Sequence, residues 1–492
     1  MNGADALLGP SLAAGRGDVP AVVCDGQSIT YAGLDRLANR WGNALLAAGL
    51  SRGQPVLFLL DDGPELVAGY LGAMRAGLVP CALNTRLAAK DLAHAVADSG
   101  APLLVAEPAL ASLVADSGAA VRVVTDCDGF ITGASDLLAS AEVGPEDPAL
   151  WMYTSGTTGQ PKAAVHVHGS IPLGERHVVE NLGVRPGDRV FSTSKLFFAY
   201  PLGHCLLGGL RAGATLVLHR GWPDAKAAAQ VIQATRPQVV LSVPSLYRLM
   251  LAEGLSDAFA QVRTYVSAGE RLPEELWRRW HEATGRPILE GIGATEALFL
   301  FIANTPAAYK PGACGRPLPW AEAQLRAPDG SVITAPDTPG DLWVRMDSLF
   351  RGYRNRPEVT ARVLVDGWWK TGDVFTVDVD GWWSPQGRSD DMIKVSGQWV
   401  SPAEVEEAAL AVPGVSDAAA VGQANADGLI RLVLFAVAAP GESEPALEAR
   451  VVESLRSKLA IYKCPRTVRF LDAIPRTATG KVQRFKLREG AG

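Results

Sequence analysis

The sequence has no pair of cysteines at C-x-x-C spacing. Its six cysteines (Cys24, Cys81, Cys127, Cys205, Cys314 and Cys464) are scattered over 492 residues. That gives no support for a disulfide framework and suits a reducing cytoplasm, with the thiols as small core residues. There is no lysine- or arginine-rich tract, and the net charge is −6. A nucleic-acid partner is therefore not expected. No apolar stretch is long enough to cross a bilayer, and no basic region followed by an apolar run stands at the N-terminus, so neither a membrane span nor a signal peptide is expected. A Gly-x-Ser-x-Gly motif is absent, which argues against covalent acyl-enzyme chemistry. Among the seven histidines, none pairs with another histidine or a cysteine at metal spacing except His166 and His168. Those two read as structural.

What is present is apolar and large. Hydrophobic residues make up 48% of the chain and charged residues 20%. A soluble globular protein with a sizeable core, divided into two or three domains, is the expectation. Short apolar runs alternate with helical stretches over residues 19–145. Pro55 to Leu60 predicts a strand, Pro64 to Ala76 an amphipathic helix and Val79 to Leu83 the next strand. Alternation of this kind predicts an α/β fold with parallel layers. Further strands are expected over Val190 to Phe198, Ala212 to Leu218 and Val239 to Val243.

The organising stretch is Thr154-Ser155-Gly156-Thr157-Thr158-Gly159-Gln160-Pro161-Lys162, behind the apolar run Ala149 to Tyr153. Glycines let backbone N–H groups turn inward, and hydroxyls add donors at the same concavity. Such a nest suits a polyphosphate, with Lys162 as a point charge. Pro161 disfavours a helix at the lysine, so the loop is expected to join two strands. A flexible Ser/Thr/Gly surface loop is the plainer alternative. The P-loop pattern is not met, because no glycine directly precedes the lysine.

A second cluster is Glu290-Gly291-Ile292-Gly293-Ala294-Thr295-Glu296. Its glycines bring backbone close to a planar ligand. Thr295 can donate to a phosphate, and Glu296 can hold a magnesium ion beside it. Ser267-Ala268-Gly269-Glu270 ends a strand in small residues, leaving room for a ligand or for close helix packing. Thr371-Gly372-Asp373 forms a tight turn whose aspartate can accept two hydrogen bonds from a ribose diol, or simply closes an Asx-turn. Polar residues with two adjacent aspartates, around Arg388-Ser389-Asp390-Asp391, mark a boundary to a final small domain. That tail predicts a helix (Ser401 to Ala411), two strands (Val415 to Val421, Ile430 to Val437) and a second helix (Pro445 to Leu459).

Taken in order, these motifs resemble the adenylate-forming superfamily of acyl- and aryl-CoA synthetases, from about residue 20 to residue 487. Phe197-Phe198-Ala199-Tyr200 and the isoleucine at Ile292 look most like benzoate-type CoA ligases. The resemblance implies an α/β core over residues 1–388 and a mobile α+β lid over 389–492. It implies ATP, Mg2+ and coenzyme A: a small carboxylic acid attacks the α-phosphate, and the thiol then displaces AMP. In that scheme Thr154 to Gly159 and Lys162 bind phosphate, with Gly269, Glu270, Glu290, Gly291 and Ile292 also at the nucleotide. Asp373 and Arg388 hold ribose or phosphate, and Thr154 and Glu296 hold the metal. Lys481, in Thr477-Ala478-Thr479-Gly480-Lys481, is the catalytic lysine of adenylation. Asp390 is the pivot that brings Ser396 and Gly397 to a thiol tunnel gated by Tyr200. Phe198, Ala199, Tyr200, Ser267, Gly269, Ile292 and Gly293 would line a flat acid slot. Ala297 and Phe299 depart from the benzoate pattern and allow a larger or decorated ring. Two other readings stand beside this one: loading of a separate carrier protein, and a regulator that binds nucleotide without turnover. A homodimer is an assembly open to test.

Overall fold

In the computed structural model, residues 1–154, 161–389, 391–395, 398–424, 430–476 and 482–489 are described. The chain falls into two compact units. One comprises Met1–Glu322 with Val344–Trp369, the other Ala323–Trp343 with Lys370–Gly492.

The first unit is α/β, as the alternating pattern predicts. Its main sheet has nine strands. Six of them run parallel, in the order Ile288–Gly293, Thr264–Ser267, Val239–Ser242, Arg189–Ser192, Thr215–Leu218 and Pro20–Cys24. Antiparallel strands finish both edges. Helices cover the parallel strands, which explains why Val239, Val240 and Leu241 are all fully buried. A four-stranded parallel sheet carries Val79–Ala82, Pro55–Leu59, Leu103–Ala106 and Arg122–Val124. Beside these lies an antiparallel hairpin, Pro148–Thr154 with Lys162–Val167. The phosphate-loop stretch does join two strands.

One expected strand needed correction, and one helix lay outside every expectation. The run Val190 to Phe198 is a strand only as far as Ser192. Thr193 N still donates to Leu241 O (3.0 Å), but Ser194 N turns back onto Ser192 Oγ (3.1 Å), and the Leu196 N–H is then taken by the buried carboxylate of Asp62, 3.0 Å away. The N-terminal helix Gly3–Ala13 was not foreseen; Ala4, Leu7 and Leu8 are buried, and its apolar residues show no one-sided stripe. No helix among the described residues is long and apolar enough to cross a membrane.

From Lys370 on, the strand Trp368–Val377 belongs to the second unit, where it forms a hairpin with Trp383–Arg388, Asp373 standing opposite Arg388. It continues into Ile393–Val395 paired with Gln398–Val400. The tail is α+β: helices Pro402–Leu410 and Glu444–Lys458 pack on the strands Val415–Ala424 and Ile430–Ala438. A third strand, Thr467–Phe470, joins this sheet in parallel and was not predicted.

Candidate active site

In the first unit, strand register sets the two ends of the predicted phosphate loop. Thr154 pairs with Lys162, so the two ends of the predicted phosphate loop are held side by side. Ser155, Gly156, Thr157, Thr158 and Gly159 lie outside the described residues. Lys162 places its ammonium 3.9 Å from the centre of the Tyr353 ring. A cation held against a ring face is attracted to the ring quadrupole. Tyr353 is fixed in turn by main-chain bonds from its flanks, Val165 N to Gly352 O (3.0 Å) and Arg354 N to Ala163 O (2.9 Å).

Glu296 reaches the same tyrosine. Tyr353 Oη donates to Glu296 Oε1 at 2.5 Å, and both side chains are buried. The second oxygen, Oε2, accepts no hydrogen bond among the described residues. The chain reaches Glu296 through a turn in which Ala297 N and Leu298 N both donate to Ala294 O. Leu298 closes it at φ 67°, a region a branched side chain rarely occupies. The turn is braced by Phe350 N on Glu296 O (2.8 Å), Ser348 Oγ on Ala297 O (2.7 Å) and buried His166, whose Nε2 donates to Thr295 O (2.8 Å). Burial pushes the His166 and His168 imidazoles down to about 4, so both are neutral. Their structural reading fits these contacts, His168 accepting from Gly3 N at 3.0 Å.

Among the described residues no group of three His, Cys, Asp or Glu is arranged to hold a metal. Glu296 is a lone carboxylate with one oxygen oriented and one open. That donor set fits a magnesium ion which takes its other ligands from substrate phosphates and water. Glu290 is spent on the protein: its Oε1 accepts from Leu272 N at 3.0 Å. Glu270 takes Ser245 N at 3.3 Å and Ser245 Oγ at 3.4 Å. Both therefore steady the loop that follows Gly269.

The aromatic segment is held from behind. Lys195 and Asp62 are a buried pair, Nζ to Oδ2 3.9 Å, and Lys195 Nζ also donates to His219 O. Phe197 and Phe198 pack on each other and on Trp222, with ring centres 4.6 to 6.2 Å apart. Ala199 and Tyr200 then open a helix that runs on as a π-helix over Leu202–Gly209. Tyr200, His204 and Phe299 form one ring cluster, with His204 centred 5.5 Å from Tyr200 and 5.9 Å from Phe299. A seam of glycines allows this: a Cβ on Gly208 would sit 2.8 Å from Gly174 O, and one on Gly203 would collide with Leu298 O. Ile292 and Gly293 pair with Ile302 and Leu300 at the sheet edge. Ser267 shares the strand face of Tyr265, whereas Val266 and Ala268 belong to the cluster against which Tyr200 packs.

In the second unit, register places Asp373 opposite Arg388, and Arg388 Nη1 lies 2.9 Å from Asp373 Oδ1. The same nitrogen donates to Thr371 O (3.1 Å), while Thr371 Oγ1 accepts from Asp373 N (3.0 Å). The tight turn expected at Thr371-Gly372-Asp373 is instead part of the strand Trp368–Val377, with Gly372 at φ 77°; a Cβ there would meet the guanidinium at 2.7 Å, so the strand fits closely around the arginine. Asp390, Ser396, Gly397 and Lys481 lie outside the described residues.

Tyr353, His177 and the Asp62–Lys195 pair were missed by sequence reasoning. Tyr353 stands in the run Gly352 to Glu358, and nothing in that run singles it out. Asp62 and Lys195 lie in separate runs, and no local pattern joins them.

The comparisons with known proteins agree with this geometry. The model for AMP-binding enzymes matches residues 11–354, and that for their C-terminal domain matches residues 404–481. The chain is 49% identical to a 3-hydroxybenzoate–CoA ligase of Aromatoleum sp. (strain CIB), over 99% of this chain and 97% of that one. It is 46% identical to a 3-hydroxybenzoate–CoA/4-hydroxybenzoate–CoA ligase of Thauera aromatica, again over 99% and 97%. A crystal structure of an anthranilate CoA ligase in complex with anthranoyl-AMP superposes with a TM-score of 0.94 at 32% identity, covering 100% of this chain and 97% of that one. The chain belongs to the AMP-binding enzyme family, within the adenylate-forming superfamily, and is an AMP-forming acid–thiol ligase that uses ATP and coenzyme A.

Proposed function

We infer that the acid is a benzoate bearing a ring hydroxyl, activated as its adenylate and transferred to coenzyme A. The observation that carries this is the cluster of Tyr200, His204 and Phe299. Its rings form flat, mostly apolar walls suited to sandwiching a benzene ring. Burial holds His204 down at about 4, so its imidazole is neutral, and no cationic side chain is among these ring contacts to attract a second carboxylate. The hydroxybenzoate ligases among the relatives support the same class.

In this reading Lys162 faces the phosphates. Glu296 and Thr154 would hold magnesium, which when bound neutralises charge on the transferring phosphate. Tyr353 keeps the Glu296 carboxylate turned toward it. Asp373 takes the ribose hydroxyls and Arg388 the ribose or phosphate edge. Lys481 stabilises the α-phosphate while the carboxylate attacks. The boundary at residues 388/389 is the hinge, with Asp390 as pivot; rotation withdraws Lys481 and brings Ser396 and Gly397 to the thiol. Positioning and charge neutralisation supply the rate, because no covalent acyl-enzyme is formed. A cytoplasmic setting belongs to this reading and is supported by the dispersed cysteines.

The test is kcat/KM for benzoate, 3- and 4-hydroxybenzoate, cinnamate, acetate and dodecanoate, following pyrophosphate and the CoA ester together. Acetate lacks a ring, and at roughly 0.8 kcal/mol for each of about five missing carbons it should be used about a thousandfold less well. If acetate or dodecanoate beats every ring acid, the aromatic reading fails. Pyrophosphate release without a CoA ester would point to a carrier-protein acceptor.

A further inference from the structure

A second imidazole stands behind the ring cluster, unused by anything above. His177 lies on the π-helical segment Arg176–Asn181 and is 1% exposed. Its ring meets that of His204 edge-to-face, with centres 4.5 Å apart at 76°. The two histidines differ in how they are satisfied. His204 is saturated: Nδ1 donates to Tyr200 O at 2.7 Å, and Nε2 accepts from Leu300 N at 3.3 Å. His177 is not. Its Nδ1 faces the Asn181 amide at 3.5 Å, and its Nε2 has no partner among the described residues. Tyr200 Oη and Asn181 Oδ1 are equally buried and equally without a partner.

One unpaired buried polar atom costs about 1–3 kcal/mol. Others occur elsewhere among the described residues, ring nitrogens of His166 and His168 included, so it is the grouping of these atoms around touching rings that sets this place apart. Three in one cluster, next to the rings expected to grip the acid, call for a ligand that brings its own hydrogen-bonding group. The character of that group follows from the imidazole. Desolvation, with His204 beside it, holds His177 well below the usual histidine range, so the ring is neutral. A neutral imidazole offers one donor or one acceptor at Nε2, according to tautomer. A phenolic hydroxyl can answer either. A carboxylate or alkylammonium would find no counter-charge there.

We propose that His177 Nε2 hydrogen-bonds the ring hydroxyl of the substrate, and that Tyr200 Oη belongs to the same hydroxyl-reading subsite. This rests on the aromatic-acid reading above and adds the residue that discriminates hydroxybenzoate from benzoate. A site built around a hydrogen bond rejects the analogue that lacks the hydroxyl, because its own polar atoms are then left bare.

The test compares kcat/KM for 3-hydroxybenzoate, 4-hydroxybenzoate and benzoate in the wild type, His177→Phe and His177→Gln, all as the full-length enzyme. The wild type should favour one hydroxybenzoate over benzoate at least tenfold. His177→Phe should cut that ratio at least tenfold, and His177→Gln, which keeps a polar end, should fall between. A wild type with no hydroxyl preference, or a ratio within twofold of wild type in both variants, overturns the proposal. The same holds if the variants lose all ring acids in proportion, as they would if a buried water bridged these atoms. Should near-UV circular dichroism show His177→Phe to be misfolded, the glutamine variant decides by the same twofold limit. Failure of the aromatic-acid reading looks different: the wild type would then release no pyrophosphate with any of the three acids.

Discussion

Replacing Tyr353 by phenylalanine separates two things that this tyrosine does at once. Its hydroxyl donates to Glu296 Oε1 at 2.5 Å, and its ring face carries Lys162 at 3.9 Å. Phenylalanine removes the first and keeps the second. A hydrogen bond to a charged group contributes about 1.5–3 kcal/mol, and this one is buried, with Tyr353 6% and Glu296 9% exposed. If that energy holds the carboxylate in its magnesium-binding orientation, the half-saturating magnesium concentration should rise roughly 10- to 150-fold, while the KM for the acid changes little. Tyr353→Leu also deletes the ring under Lys162. It should raise the ATP KM as well, by the roughly 0.5–2 kcal/mol of a cation–π contact. Magnesium and ATP titrations of pyrophosphate release read both effects. If Tyr353→Phe lowers Tm and leaves the magnesium titration unchanged, the tyrosine is only a packing residue and the reasoning fails.

Two further outcomes are expected. Burial holds His166, His168 and His204 down at about 4, below the ordinary histidine value near 6.5. Between those pH values the unfolded chain binds more protons than the folded one, so stability is full above about pH 6.5 and is lost as pH falls toward 4. Tm should therefore drop clearly between pH 7 and pH 5, and a flat profile would refute the neutral, buried assignment. Lys481→Ala should abolish pyrophosphate formation yet spare thiolysis of supplied acyl-AMP. Equal loss of both half-reactions would show that the lysine does not serve adenylation alone.

The sequence was most legible where chemistry and local geometry coincide. Glycines and hydroxyls between two apolar runs announced a hairpin-borne loop, and Thr154 and Lys162 do face each other across it. The order of motifs carried the fold and the reaction class. Other features were hidden for definite reasons. The ladder from Val190 gives way after Ser192 to a segment anchored at Leu196 N by the Asp62 carboxylate, and no local pattern encodes a partner 134 residues away. The π-helix Leu202–Gly209 is nearly all apolar and glycine, so it lacks the one-sided stripe by which a surface helix is read. Asp373 and Arg388 were each singled out, but their ion pair depends on a bulged register between their strands, which spacing alone does not fix. His177 had no motif around it; what marks it is an unpaired buried nitrogen on a ring that packs against His204.

The glycine seam at Gly174, Gly203 and Gly208 bears on how this enzyme can change. Main chain lies against main chain there, so substitutions at those positions have nowhere to go without moving whole segments. On the proposed reading of the acid site, divergence toward a new acid is thereby channelled into the side chains of the ring cluster: His177, His204, Phe299 and Tyr200. A directed-evolution library confined to those four positions would sample changes of specificity on an intact scaffold. One that includes the glycines would consist largely of misfolded clones.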